Sequence, residues 1–374
     1  MGELFSSREP VRIGVLFSPS SLFRDFETAF MQGTIAGIMS VNRGGGIGGR
    51  SIEPVFYDPQ SDPPRYPALV SRLVLEDDVS HIFGCMTSPT RKAAMPVVER
   101  LGALLWYPNQ YEGFEISPNI VYGGPCPNQY NVPLIEYIRE TGRRRVFMAG
   151  SDYSFPHECL RIFRELAEGL GVEIVGETYL PLDAPDNAYF RMVRDARLAG
   201  ADIVVSAVVY PGLQKLFRAF RASAVNAIDM PLANVAGSDL DFSVADHECV
   251  SGHIAVGSYF AGAEGAGNRS FVHDLQTLYG QRARANMHTL ASYNQIRLFA
   301  RTLEASGSLD LDAMRDALPN VSIDSIEGKV SVDSTYQCIL SCPRIGVAND
   351  RGRYDVVRTA PTTVTPDPYM VAYA

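Results

Sequence analysis

No apolar run in this chain approaches the roughly 20 residues that a helix needs to cross a bilayer. The longest, such as 203–210, are far shorter, so the protein is not expected to be membrane-embedded. Basic blocks are equally scarce. None exceeds Arg143-Arg144-Arg145, and 33 Lys and Arg stand against 42 Asp and Glu, a net of −9. That balance argues against direct binding to nucleic acid or an anionic membrane. The opening Met1–Pro10 lacks a basic n-region and an apolar h-region, which points to a cytoplasmic protein, or a periplasmic one if a signal had been removed. Gly2 with Ser6 fits a myristoylation pattern too short to prefer. The six cysteines, Cys85, Cys126, Cys159, Cys249, Cys338 and Cys342, form neither a disulfide framework nor a zinc pattern. A Cys338–Cys342 bridge would need a turn between them, and two reduced thiols are the favoured reading.

Catalytic signatures are missing too. There is no HExxH, no GxSxG elbow and no GKS/T loop. His247-Glu248-Cys249 with His253 can be drawn as a metal site, but their spacing favours surface or core roles. Glu112 and Glu115 pair two carboxylates in a loop with no evident nucleophile or activated water. No enzyme activity, metal or cofactor is therefore expected.

What the chain does contain is rhythm. At 374 residues it exceeds the size of one ordinary core. Strand-like apolar runs (11–17, 51–57, 81–84, 103–107) alternate with helically spaced ones (25–41, 64–75, 90–101). The alternation restarts after residue 122, with strands at 145–150, 172–179 and 202–208. A third stretch has a strand at 252–259, helices at 270–279 and 289–305, and short β-like runs from 326 onward. This predicts an α/β protein of two Rossmann-like lobes with parallel sheets, several chain crossings and a cleft between the lobes. The expected division is 1–127 and 255–330 in lobe 1, and 128–254 with the closing strands and tail at 331–374 in lobe 2.

Three segments carry candidate chemistry. Gly44-Gly45-Gly46-Ile47-Gly48-Gly49 invites a phosphate-loop reading, yet it follows a helix and precedes a strand, so a helix-terminating turn is preferred. Cys85-Met86-Thr87-Ser88-Pro89-Thr90-Arg91-Lys92 leaves a strand and enters a helix, placing hydroxyls where α/β domains bind ligands; Thr87 or Ser88 would equally serve as an N-cap. Gly150-Ser151-Asp152-Tyr153-Ser154-Phe155-Pro156 occupies the matching place in the second lobe. Most telling is Tyr107-Pro108-Asn109-Gln110-Tyr111-Glu112-Gly113-Phe114-Glu115, then Ser117-Pro118-Asn119 and Pro127-Asn128-Gln129. Its aromatics, carboxylates, amides and prolines read as a preformed surface for something small and polar.

With Ile13–Ser18, Gly45 to Arg50, Gly84-Cys85, Thr90-Arg91-Lys92 and Pro366-Asp367-Pro368-Tyr369, these motifs run in order along nearly the whole chain. The chain resembles the amide- and urea-binding branch of the type I periplasmic-binding-protein family. That branch includes amide sensors of amidase operons and receptors of urea and short-chain-amide ABC transporters. The resemblance implies two lobes closing on one ligand, with contacts at Ser88, Tyr107 and Tyr153, and with Asn109, Gln110, Met86 and Thr87 in the same loops. Met86 departs from the usual aromatic, Gln110 agrees with the urea receptors, and Tyr210-Pro211 is unusual in the second lobe. The implied function is a sensor that closes on a small amide or urea-like molecule and controls a protein partner such as an antiterminator. The alternative is the receptor of an ABC importer, with a permease as partner; a homodimer is open in either case.

Overall fold

The computed structural model describes residues 9–281 and 283–373 (the Val244 side chain excepted); the Gly2/Ser6 pattern lies outside them. In chain order the first run is β1 (Val11–Leu16), α1 (Arg24–Arg43), β2 (Ile52–Tyr57), α2 (Tyr66–Leu75), β3 (His81–Gly84), α3 (Ser88–Leu101), β4 (Leu104–Tyr107) and β5 (Ile120–Tyr122). The second is α4 (Pro127–Glu140), β6 (Arg145–Ser151), α5 (Ser154–Glu168), β7 (Glu173–Leu180), α6 (Asp186–Leu198), β8 (Ile203–Ala207) and α7 (Gly212–Ala222). It continues through β9 (Leu232–Asn234), α8 (Asp241–Val244), α9 (His247–Val250) and β10 (Ile254–Gly257). Then come α10 (Ala266–Tyr279), α11 (Met287–Ser306), α12 (Leu311–Ala317), β11 (Ser322–Ser325), β12 (Gly328–Ser331), β13 (Arg344–Ala348) and β14 (Tyr354–Thr359).

Two compact units result: Met1–Pro125 with Gly265–Ser341, and Cys126–Glu264 with Cys342–Ala374. The first holds a parallel sheet in the order β2-β1-β3-β4-β5 and the β11-β12 hairpin. The second holds β14-β13-β10-β9-β8-β6-β7, parallel from β7 to β10, with β13 and β14 added antiparallel. Two later crossings lie about ten residues beyond those expected. β10 pairs with both β9 and β13, and Ala261 N–H donates to Asp239 at 2.8 Å, which keeps 255–264 in the second unit. Conversely, Tyr122 N–H donates to Gln337 O and Ile339 N–H to Tyr122 O, both at 2.9 Å, which ties 331–341 to the first. The strand β9 has no counterpart in the sequence reading because three residues are too few to show a period.

The glycine run ends α1 as a turn. Gly44 N–H bonds back to Ser40 and Asn42 carbonyls, Gly45 and Gly46 take φ of +99° and +73°, and Ile47 and Arg50 form a bridge. In the first core, Trp106 stacks on Phe83 at 5.5 Å, and Phe299 of α11 meets both rings edge-on. α11 starts at an Asn286 capping box and ends at Gly307 with φ +67°. Gly33 of α1 packs directly on it: a Cβ there would lie 2.1 Å from Thr289 O. Alanine gains about 1 kcal/mol of helix propensity over glycine, but overpacking costs about 1–3 kcal/mol, so Gly33→Ala should lower Tm. A Tm at or above wild type in calorimetry would show that the two helices separate freely.

Candidate functional site

At the carboxyl edge of the first sheet, β3 turns into α3 through Cys85, a buried non-glycine residue at φ +64°. Left-handed backbone at such a residue is strained and recurs at functional turns. Burial pushes the Cys85 thiol up, the reverse of what a nucleophile needs. Thr87 takes the N-cap position with extended φ and ψ, but its side chain makes no capping bond; Thr90 Oγ1 instead donates to Thr87 O at 2.8 Å. Ser88 Oγ donates to Glu112 Oε2 at 2.6 Å. From the end of β4, Tyr107 O–H donates to Met86 O at 2.9 Å and Asn109 Nδ2 donates to the same carbonyl at 2.8 Å. One carbonyl thus joins the two loops, with the Met86 side chain buried. Gly124 permits the close approach, since a Cβ there would fall 2.1 Å from Asn109 C and 2.3 Å from Gln110 N. Met86, Thr87, Ser88, Tyr107, Asn109 and Gln110 therefore share one edge. Nearby, the buried Glu27 carboxyl accepts from Ser18 N–H at 3.0 Å and Ser61 Oγ at 2.6 Å, and burial pushes it up to about 7.

The residue that organises this edge is Arg91, which the sequence reading cited only as part of a motif. It is fully buried, with Nε 2.7 Å from Glu115 Oε1 and Nη2 3.3 Å from Glu112 Oε1. Its guanidinium lies 4.8 Å from the Tyr107 ring, 5.3 Å from Tyr111 and 6.0 Å from Tyr122. Lys92 Nζ reaches Glu112 at 3.0 Å. Burial alone would raise the Glu112 carboxyl, but Arg91, the Ser88 hydroxyl and Lys92 outweigh it and hold it below the ordinary carboxylate range.

Much of the loop read as ligand-gripping is thus committed to holding itself. Glu112 and Glu115 face Arg91, Tyr111 stacks on Tyr122 at 4.4 Å, and Ser117 Oγ donates to Glu99 at 2.6 Å. Asn119 Nδ2 donates to Ala103 O at 2.8 Å. In the second unit, Asn128 Nδ2 and Gln129 Nε2 donate to Thr365 O and Val364 O at 2.9 Å, while Asp367 N–H donates to Asn128 Oδ1. The paired motifs Pro127-Asn128-Gln129 and Pro366-Asp367 therefore anchor the C-terminal segment. His253 is a core residue whose Nδ1 accepts Leu232 N–H at 3.0 Å, so the drawn metal site fails there. No group of three or more His, Cys, Asp or Glu is placed to hold a metal among the described residues. All six cysteines are free thiols.

At the carboxyl edge of the second sheet, Ser151 Oγ at the end of β6 accepts Val209 N–H beyond β8, at 3.1 Å. The half-buried Tyr153 takes the N-cap position of α5. Tyr210, joined to Pro211 by a cis peptide, is buried and donates its hydroxyl to Asp241 Oδ1, while Tyr354 donates to Oδ2 at 2.6 Å. Burial pushes the Asp241 carboxyl up to about 7 against these two donors.

Replacing Arg91 by Met would leave the buried Glu112 and Glu115 with only the half-exposed Lys92 as a cation, a loss of about 3 kcal/mol in denaturant unfolding near neutral pH. The sign with pH follows from Glu112. Its folded pKa is lowered, so its contribution is present above the ordinary carboxylate pKa and disappears as pH falls through the lower folded value. The gap between wild type and Arg91→Met should narrow in acid; a constant gap would remove the ion pair from the account.

Set against known proteins, residues 11–374 match the family model described as Periplasmic binding protein domain. The leucine-, isoleucine-, valine-, threonine- and alanine-binding protein of Pseudomonas aeruginosa is 20% identical over 329 residues, 86% of this chain and 84% of that protein. A solute-binding protein of an ABC transporter from Rhodopseudomonas palustris HaA2, solved with p-hydroxybenzoic acid, superimposes with TM-score 0.85 at 20% identity, covering 97% of this chain and 99% of that one. The branched-chain amino acid transporter substrate-binding protein LivJ of Streptococcus pneumoniae, solved with isoleucine, gives 0.81 at 18% identity over 95% and 100%. At such identities these likenesses speak to fold, and they do not single out the amide and urea branch. With the α/β architecture and a match running from β1 to the C-terminal segment, the chain belongs to the periplasmic binding protein family.

Proposed function

We propose that this protein is the solute-binding receptor of an ABC importer, working outside the cytoplasm, and that its solute is a small molecule rich in N–H groups, such as an amide or urea. The receptor reading, rather than a cytoplasmic regulator, is supported by relatives named as ABC solute-binding proteins and amino-acid-binding proteins. Solute contacts are assigned to Ser88, Tyr107, Asn109, Gln110, Met86 and Thr87 in the first unit, and to Tyr153 and Tyr210 in the second.

The observation that carries the solute class is the direction of the hydrogen bonds. Ser88 commits its proton to the Glu112 carboxylate and Tyr107 commits its proton to Met86 O. What these oxygens retain for a solute is acceptor capacity. A carboxylate solute brings only acceptors and would face the negative Glu112 behind Ser88, whereas an N–H group completes the pattern. Leaving a buried polar group unpaired costs about 1–3 kcal/mol, enough to separate an amide from the acid of the same shape.

The test is thermal unfolding against matched pairs: acetamide with acetate, benzamide with benzoate, and alongside them urea, butyramide, leucine and 4-hydroxybenzoate. A saturable rise in Tm with an N–H solute and not with its matched acid is expected. A larger rise with benzoate or 4-hydroxybenzoate would overturn the solute class and leave the receptor reading standing. Ser88→Ala should weaken the responding solute about tenfold, and Tyr153→Ala should weaken it with Tm in the absence of solute little changed. A gene for an antiterminator rather than a permease beside this one would return the regulator reading to first place.

A further inference from the structure

The acceptors assigned to the solute edge leave one need unmet. Ser88 and Tyr107 have committed their protons, so they can receive a solute's N–H groups. An amide or urea also carries a carbonyl oxygen, which binds well only against a donor. A donor stands within the same unit, on α11. Gly33 of α1 packs on Thr289 and Gly37 on Ile296, so the two helices run in the same direction. Because α1 follows β1, both begin at the carboxyl edge of the sheet. The first half of α11 therefore lies along the edge that holds Ser88 and Tyr107, while Phe299, further along, covers Phe83 and Trp106 in the core.

The two halves of α11 differ in how their buried polar atoms are served. His288 Nε2, Ser292 Oγ and Gln295 Nε2 are buried without a hydrogen-bond partner, and spacings of four and three residues put them on one face. Beyond them the face turns apolar at Phe299, and Thr302 Oγ1 donates to Leu298 O at 2.8 Å. Buried polar groups are nearly all paired in folded proteins, so three in a row, confined to the ligand-binding edge, mark a wall shaped for a polar occupant. His288 forms its outer end, set edge-on against Phe26 and Phe30. Gln295 forms the inner end. Its side chain lies flat on Gly123, where a Cβ would come within 2.1 Å of Nε2, and Gly123 N–H donates to Tyr107 O at 2.7 Å. The next residue, Gly124, packs on Asn109 and Gln110. The unpartnered amide is thus set against the backbone that carries the assigned contacts.

We propose that Gln295 is a specificity-determining contact of the solute site, its amide N–H donating to the carbonyl oxygen of the solute. The inference rests on the amide or urea reading and narrows it. With Ser88 and Tyr107 alone, and Glu112 behind them, the edge would favour guanidinium, which brings donors and positive charge, over its neutral isostere urea. The Gln295 donor reverses that order, because guanidinium has no acceptor to offer it. An unpartnered amide adds nothing to the fold, so its removal should cost affinity and spare stability, the combination expected where function and stability trade against each other.

The test titrates acetamide, urea and guanidinium chloride calorimetrically, at millimolar levels, into wild type, Gln295→Met and Gly123→Ala, and melts each protein without solute. Gln295→Met keeps the bulk and loses the donor. Gly123→Ala keeps the donor and displaces it, since the new Cβ meets side-chain atoms of Gln295 rather than backbone. Affinity for acetamide and urea should fall about tenfold in both variants. The ratio of urea to guanidinium affinity should fall by a similar factor, and the solute-free Tm of Gln295→Met should stay at or above wild type. Unchanged affinities in either variant, or a level ratio, overturn the role of Gln295 and leave the amide reading in place. A solute-free Tm well below wild type in Gln295→Met assigns the amide to packing and overturns the proposal as well. If wild type binds neither acetamide nor urea, the solute reading and this inference fall together.

Discussion

A buried guanidinium organises the first unit's carboxyl edge. Removing a cation from water costs several kcal/mol unless geometry and hydrogen bonds restore what is lost, and Arg91 is compensated by two carboxylates at Nε and Nη2 and by three tyrosine rings, with its buried Nη1 left without a hydrogen-bond partner. Each partner is thereby placed. Glu112 is held ionised where Ser88 can donate to it, Glu115 also receives the Tyr122 hydroxyl at 3.0 Å, and Tyr107 is pressed where its own hydroxyl reaches Met86 O. The long loop from β4 to β5 keeps its course because the cation lies beneath it.

The second unit meets the same difficulty differently. Asp241 has neutral donors and an acidic neighbour, so burial wins and its carboxyl rises toward neutrality, whereas at Glu112 the cations win and the carboxyl is held low. The two carboxylates are alike in burial and opposite in charge environment.

The family and the fold were legible along the chain, but the use of individual motif residues was not. Ser117, Asn119, Asn128 and Gln129 look like ligand contacts because they are polar residues clustered with prolines and aromatics. In the folded chain they bond one another or nearby segments, Ser117 to Glu99, Asn119 to Ala103 O and Asn128 to Asp367 N–H among them. Composition cannot distinguish a side chain that grips a solute from one that grips its own chain. Arg91 was visible as a letter in a motif, yet its importance depends on Glu112 and Glu115 returning to it from the next loop. The amide branch rested on the same motifs, and the relatives found at about 20% identity leave it to the direction of hydrogen bonds at Ser88 and Tyr107.

Periodicity is a local property, so the sequence alone determined the alternation of strands and helices, the parallel sheets they build and the turn that ends α1 at Gly44. The addition of β13 and β14 as antiparallel strands, the true crossing points and the short β9 depended on which strands found one another across long separations. Only the tertiary structure decided where each proton points. That direction depends on acceptors such as Glu112, Met86 O and Asp241, brought to their donors by folding and assigned to them by no local pattern.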